Sequence, residues 1–569
     1  MKKNILLFVA FSLLTQWSMA QAPKWVEKAK KAVFSVVTYD KEDKILNTGN
    51  GFFVTENGVA LSDCSLFKGA YRAVVVDADG KQMSVESILG ANDIYDVVKF
   101  RVRSEKKVAA LKIATVAQAV GADAYLLPYS TQKDRSCTAG KVKAVTTIGG
   151  SHHYYTLTMT LKDKMVSCPV TDAEGQVFGL AQKSSGKDTT TVCYAVGASF
   201  VMSQNIGALS LSDNALQSIH IKKGLPETED QALVYLYMAS TQTTPEVYTE
   251  LLNDFVAQYP TNVDGYVRRA GNYVYLGVKD KDVAQMDKAS ADLAQALKVG
   301  QKKDDVHYNI AKLMYSYQLS KPEKVYKDWT FEKALTEIRA AQAIDSLPIY
   351  IQLEGDIFFA MQNYADAFTA YQKVNHTNLV SPATFYSAAK TRELMKADIK
   401  EVVALMDSCV AHCTKPYTED ASPYLLERAR FNMDAELYRA AMLDYDAYYD
   451  AVSGKVNDVF YYYREQASLK AKQFQRALDD IAKAIELSPK DLSYRAELAV
   501  INLRVGRSEQ AIKVLDEALA IDPKYAEAYR LKGICQVQLK QSKEACASFA
   551  KAKELGDTAV DALIEKHCK

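Results

Sequence analysis

Histidine is scarce in this chain and comes late: there are seven in 569 residues, and the first is His152. Before that position no side chain titrates near neutral pH, which excludes an imidazole base or metal ligand from the stretch. Charge of one sign is lacking too. With 70 basic and 69 acidic side chains the formal net charge is +1, so neither a nucleic-acid footprint nor a polybasic membrane patch is expected. No apolar run beyond the first twenty residues is long enough to span a bilayer. No cysteine precedes Cys64, which excludes a lipid-attachment cysteine near the start of the mature chain.

What stands at the N-terminus is a secretory pattern. Lys2 and Lys3 precede an apolar run from Ile5 to Leu14, and Ser18, Met19 and Ala20 form a small-residue cleavage site before Gln21. Residues 1–20 are therefore expected to be a signal peptide, and the mature protein to be exported, periplasmic or secreted, in a Gram-negative envelope. Disulfides are permitted there. Cys64, Cys137, Cys168 and Cys193 lie in the first part of the chain and five more cysteines follow, an odd total that leaves at least one unpaired. The length exceeds what one hydrophobic core holds, so several units are expected.

From about residue 30 to 205 the pattern is one of short β-branched strands and glycine turns. Ala32 to Val37 reads as a first strand, followed by Gly49, Asn50, Gly51, Phe52, Phe53 and Val54, and then by Gly58 through Asp63, Cys64, Ser65, Leu66 and Phe67. Gly90 to Phe100 contains Asp93 and Asp96; Met165, Val166, Ser167, Cys168, Pro169 and Val170 precede Gly175 to Leu180. In this order and spacing the segments resemble a trypsin-like serine protease of the HtrA (Deg) type. The resemblance implies a double β-barrel and puts the triad acid at Asp96, the histidine at Ser65 and the nucleophile at Val166, with Ser167 and Cys168 in place of two glycines.

Such a triad works because an imidazole takes the proton of a serine hydroxyl that is otherwise a poor nucleophile. Ser65 does not replace that base, and Val166 carries no attacking atom. A one-residue shift would make Ser167 the nucleophile, still without a base, and Cys168 would replace a glycine that shapes the oxyanion site. His152 and His153, between Gly149 and Tyr155, are the imidazoles of the barrel region and read as a polar turn before a strand. Thiolate catalysis at Cys64 or Cys168 would want an adjacent histidine or cation, and none neighbours Cys64, so a structural or disulfide role is expected. Asp96, without its histidine, is expected to accept hydrogen bonds from Ser65 or nearby amides, since a buried carboxylate without partners is costly.

Beyond about residue 228 the composition turns to helical runs with a period of 34. Small residues recur at Ala477, Ala511 and Ala545, larger ones at Ile481, Leu515 and Phe549, and small ones again at Ala484, Ala518 and Ala552, while Pro489 and Pro523 close two units. Alanine lets antiparallel helices approach, the larger residue fills the gap, and proline stops the second helix. With Tyr529 and Gly533 as a first-helix signature, the pattern resembles the tetratricopeptide repeat. Fainter copies carry Ala334, Ile338 and Ala341; Gly355, Ala367 and Tyr371; and Ala441 and Tyr445, and others lie around Tyr248 to Pro260 and Gly265 to Val299. On the order of nine repeats fit, with an insertion from Lys321 to Trp329 and a polar capping helix over 559–569.

Cys409, His412 and Cys413 share a helix face but lack a third or fourth partner for a metal site, so buried packing is expected and no metal or cofactor is called for. Tyr445, Tyr448 and Tyr449, with Tyr461, Tyr462 and Tyr463, are expected mainly to pack, some of them reaching a ligand groove. No PDZ domain follows the barrels, as it does in the HtrA type; the repeats take that place, which passes the binding of a protein or peptide partner to a repeat groove.

The expected architecture is multidomain: an all-β trypsin-like double β-barrel over 21–205, a linker over 206–228 with its likeliest break at Lys222 to Pro226, and an all-α tetratricopeptide-repeat solenoid over 229–558. The expected function is non-catalytic protein binding or assembly by a pseudoprotease. The alternative is an active HtrA-like envelope serine endopeptidase with a divergent active site.

Overall fold

The computed structural model describes residues 22–132, 136–148, 150–183 and 192–568. The expected signal peptide lies outside the described residues. The chain divides into two compact units, Met1–Val299 and Gly300–Lys569.

The first unit opens with two six-stranded barrels, each closed. Strands β1 (Val33–Tyr39), β2 (Ile45–Phe53), β3 (Val59–Ser62), β4 (Arg72–Val76), β5 (Gln82–Asn92) and β6 (Val97–Val102) close in the order 1-2-3-6-5-4. Strands β7 (Asp123–Leu126), β8 (Thr138–Ile148), β9 (His152–Leu157), β10 (Pro169–Thr171), β11 (Val177–Gln182) and β12 (Cys193–Gly197) close in the order 10-11-12-9-8-7. Alternation explains the register: along β5, Met83 and Val85 turn inward while Gln82, Ser84 and Glu86 face outward. Gly58 makes the turn into β3 at φ +88°, where a Cβ would sit 2.3 Å from the Val102 carbonyl oxygen.

Residues 206–228, expected to be a linker, are instead bonded to the first barrel. The Ile206 amide donates to the Leu89 carbonyl at 2.9 Å, the Ile88 amide to Lys222 at 2.8 Å, and the Gly224 amide returns to Ile88 at 2.8 Å. Lys223 thus forms a parallel bridge with Ile88, just where the glycine and proline signals suggested a break. Ile206, Leu216, Ile219 and Ile221 are buried in one cluster with Phe53 and Phe100 of the barrel and with Leu236, Leu252 and Phe255 of the helices Glu229–Gln242 and Pro245–Gln258. Lys99, buried on β6, donates to the Met202 carbonyl at 2.9 Å and to Asn205, and lies 3.7 Å from Glu227. Burial lowers its pKa and Glu227 opposes the shift.

Among the described residues nine helix pairs follow the barrels, two within the first unit and seven within the second. In the last three, first helices begin at Asp458, Leu492 and Ala526 and second helices at Phe474, Ser508 and Ser542, reproducing the 34-residue step. Ala477, Ala511, Ala545, Ile481, Leu515, Phe549, Ala484, Ala518 and Ala552 are all fully buried. Gly533 is there because a Cβ would lie 2.4 Å from the Phe549 ring. The Lys321 to Trp329 insertion is packed, with Trp329 set edge-on to Tyr317 and Tyr326. At the end, Val560, Leu563 and Ile564 pack on Phe549, and Cys546 is bridged to Cys568.

Burying four branched aliphatic side chains contributes roughly 6–12 kcal/mol, as much as the whole stability of a typical domain, about 5–15 kcal/mol. A chain ended at residue 205 is therefore expected to lose its cooperative urea transition and to bind a hydrophobic dye, while residues 21–299 unfold cooperatively. An equally cooperative transition for 21–205 would show that the segment adds nothing to the barrel.

Candidate functional site

The sequence places Ser65 and Asp96 on different strand ends, and the first barrel brings them together. After β3 the chain makes a one-turn 3-10 helix, Cys64–Leu66, with Ser65 exposed at its centre. Before β6 the side chain of Asn92 accepts the amides of Ile94 and Tyr95, and Asp96 takes a left-handed conformation at φ +49°. Its Oδ1 accepts the Ser65 amide at 2.6 Å and its Oδ2 accepts the Ser65 hydroxyl at 2.9 Å. The Asp96 carboxylate is thus held at both oxygens by Ser65. Gln182 Nε2 ties this turn to the second barrel through the carbonyls of Tyr95 and Asp96.

The segment that should carry the nucleophile is anchored by polar bonds to the first barrel. Val166 is extended, its amide donates back to Asp163 at 3.4 Å, and its carbonyl accepts Asn50 Nδ2 at 2.9 Å. Asn50 also donates to the Lys164 carbonyl at 3.1 Å, and its own carbonyl accepts the Ser62 hydroxyl at 2.6 Å. Ser167 turns inward at φ +64°, is 1% exposed, and donates its hydroxyl to Asp63 Oδ2 at 2.6 Å. That hydroxyl is shielded from solvent and engaged by Asp63. Burial pushes the Asp63 carboxyl up to about 8, with the Ser167 bond opposing, and Asp63 Oδ1 has no partner among the described residues. A carboxyl that keeps its proton at neutral pH is not a base.

His152 and His153 stand on β9 itself and not on a turn before it. His152 Nδ1 lies 3.3 Å from the Ser199 hydroxyl with its ring against Phe200, and His153 stacks on Tyr155. Among the described residues neither ring is hydrogen-bonded to Ser65, Asp96 or Ser167. Cys64, Cys168 and Cys193 are buried free thiols whose pKa burial raises to about 12, so none is a thiolate at neutral pH. Of the structural or disulfide role expected for Cys64 and Cys168, the structural one is seen: both are buried free thiols, while Cys546 and Cys568 form a bridge.

Among the other predicted features, Cys409 packs with Met406 and Phe431, and His412 Nδ1 faces the Ser408 carbonyl at 2.7 Å. No group of three or more metal-binding side chains exists among the described residues. Tyr445, Tyr448 and Tyr449 pack around Phe460, whereas Tyr463 is 53% exposed. No helix of the described residues is long and apolar enough to cross a membrane.

Asn50, Asp63 and Gln182 were not marked by the sequence as site residues; the one available signal was the acidic Asp63 inside the motif that ends at Ser65. Asp63 binds its proton more tightly folded than unfolded, so its contribution falls as pH rises from its ordinary value of 3.8 to about 8. Asp63→Asn is expected to flatten that decline and to raise the melting temperature at pH 8 by about 2 °C or more. Parallel melting curves of the two proteins between pH 5 and pH 8 would contradict the assignment.

With this geometry in view, the comparisons with known proteins are direct. The trypsin-like peptidase domain family matches residues 49–180, and the tetratricopeptide repeat family matches residues 468–535. DnaJ homolog subfamily C member 7 is 29% identical over 84 residues in Homo sapiens, covering 15% of this chain and 17% of that protein. The Mus musculus protein is 28% identical over 112 residues, covering 20% and 21%. The chain thus spans about a fifth of the length of these relatives. The active form of the Rv3671c protease from M. tuberculosis aligns with 18% identity over 32% of this chain and 82% of that one, at a TM-score of 0.28. Two closed six-stranded barrels carrying a trypsin-like peptidase domain, followed by tetratricopeptide repeats, make up this protein.

Proposed function

We propose that this protein is an exported pseudoprotease of the Gram-negative envelope, a non-catalytic binding or assembly protein whose repeats receive a protein or peptide partner. The observation that carries the reading is that Ser65, bonded through amide and hydroxyl to Asp96, occupies the position where an imidazole base would stand. Val166 offers no attacking atom, and the neighbouring Ser167 hydroxyl is held by Asp63. Acyl transfer needs a base and a nucleophile in mutual reach, and neither is supplied. Export is supported by the Lys2 to Ala20 pattern and by the Cys546–Cys568 bridge, a bond that persists in oxidising compartments. Partner binding is supported by the helix pairs, a scaffold for extended peptides or helices.

The mature protein is expected to hydrolyse no casein and to take no label from a fluorophosphonate. Labelling that Ser167→Ala abolishes would establish the protease reading instead. Ser65→His combined with Val166→Ser is expected to leave the protein inactive, because the Val166 amide is still bonded to Asp163 and Ser167 still anchors the loop.

Near-neutral net charge means that partner contacts are apolar and hydrogen-bonded more than ionic, so retention should weaken only modestly with salt. Capture from envelope extract by the full mature chain is expected to be reproduced by residues 300–569, the second compact unit. Capture by residues 21–299 with none by 300–569 would move the binding surface away from the repeats of the second unit.

A further inference from the structure

We propose that a cavity within the first unit, between the first barrel and the helix Pro245–Gln258, binds a small monovalent carboxylate bearing a short apolar group, gripped by Arg101 and Ser87. The inference stands apart from the pseudoprotease reading, for the cavity shares no residue with the Ser65, Asp96 and Val166 region. The space measures about 490 Å³, which suits a small ligand or the last residues of a peptide. Its apolar wall is Leu89, Ile206 and Leu225.

Its charges are paired in a telling way. Glu86 lies 3.7 Å from Arg103, Asp254 is bound by Lys222 at 2.5 Å, and Glu227 lies 3.7 Å from Lys99. Lys223 Nζ donates to the carbonyls of Ile219 and Ile221. Arg101 is left over: among the described residues its guanidinium has no acidic, carbonyl or aromatic partner, although it is half-buried on β6. Directly across the β5–β6 ladder stands Ser87, 8% exposed, whose hydroxyl also has no partner. Neither group makes a protein hydrogen bond among the described residues, so both are free to take a ligand. Facing one cavity from paired ladder positions, they make a donor set for one anion.

The chemistry selects the anion. A planar guanidinium fork matches a carboxylate bidentately, and Ser87 adds a further donor. The surrounding Glu86, Glu227 and Asp254 carboxylates disfavour a doubly charged phosphate, whereas one negative charge matches the guanidinium of Arg101, Lys223 being taken up by backbone carbonyls. Gly224 lets the chain pack against the apolar wall, since a Cβ there would come 2.9 Å from Leu89.

The test is isothermal titration of the full mature protein with N-acetyl-leucine, N-acetyl-Ala-Ala-Leu and the C-terminal amides of both. Both acids are expected to bind and the amides to fail. Arg101→Gln should weaken acid binding at least about tenfold. Arg101→Lys, which keeps the charge but loses the fork, should recover part of the loss, and Ser87→Ala should cost several-fold. Because Arg101 makes no internal bond, its variants should melt as the parent does; should one fail to fold, Ser87→Ala carries the test. Tighter binding of the tripeptide acid would identify a peptide C-terminus as the source, and equal binding a free acid. No heat from either acid up to its solubility limit, equal binding of acid and amide, or full affinity in Arg101→Gln would overturn the proposal. None of these outcomes depends on proteolytic activity.

Discussion

The buried bond from the Ser167 hydroxyl to Asp63 spans 104 residues of sequence and joins the two barrels where trypsin-like chemistry would take place. Around it the Asn50 side chain reaches the carbonyls of Lys164 and Val166, and Gln182 reaches those of Tyr95 and Asp96. In a working protease of this fold the seam between barrels holds reacting groups at a solvent-accessible cleft. Here the Ser167, Asn50 and Gln182 bonds run across that seam from one barrel to the other. The left-handed backbone at both Asp96 and Ser167 marks where the chain bends to make these contacts, a strain that persists only because the surrounding structure imposes it.

The acid shows how one geometry serves two ends. A carboxylate at Asp96 needs donors whether or not catalysis follows, and Ser65 supplies two of them. The Asp96 carboxylate is therefore not left without donors in the closed barrel. Asp63 follows the other route, since burial favours its neutral form and a single hydroxyl bond suffices.

The attachment of the repeats follows from the hydrophobic effect as much as from connectivity. Because Ile206, Ile219 and Ile221 share a cluster with Phe53 and Phe100, the barrel core is completed by residues beyond its last strand. The first two helix pairs consequently belong to the barrel's compact unit, and the division of the chain falls at Val299 and Gly300. A boundary drawn at the change of composition near residue 228 separates residues that bury one another.

The repeat spacing, the alanine and large apolar positions and the β-strand motifs were legible in the sequence because helix and strand periodicity are local consequences of which face meets the core. The late first histidine and the valine at position 166 are likewise plain in the sequence, since side-chain chemistry is written residue by residue. Only the tertiary structure decided that Ser167 faces inward to Asp63, that His152 and His153 lie on a strand with His152 set against Phe200, and that Lys222 and Lys223 are bonded to the first barrel. Those outcomes depend on which distant groups a closed barrel brings within hydrogen-bond reach. Glycine and proline signals describe what a backbone can do, and burial against the first barrel determined what this one does.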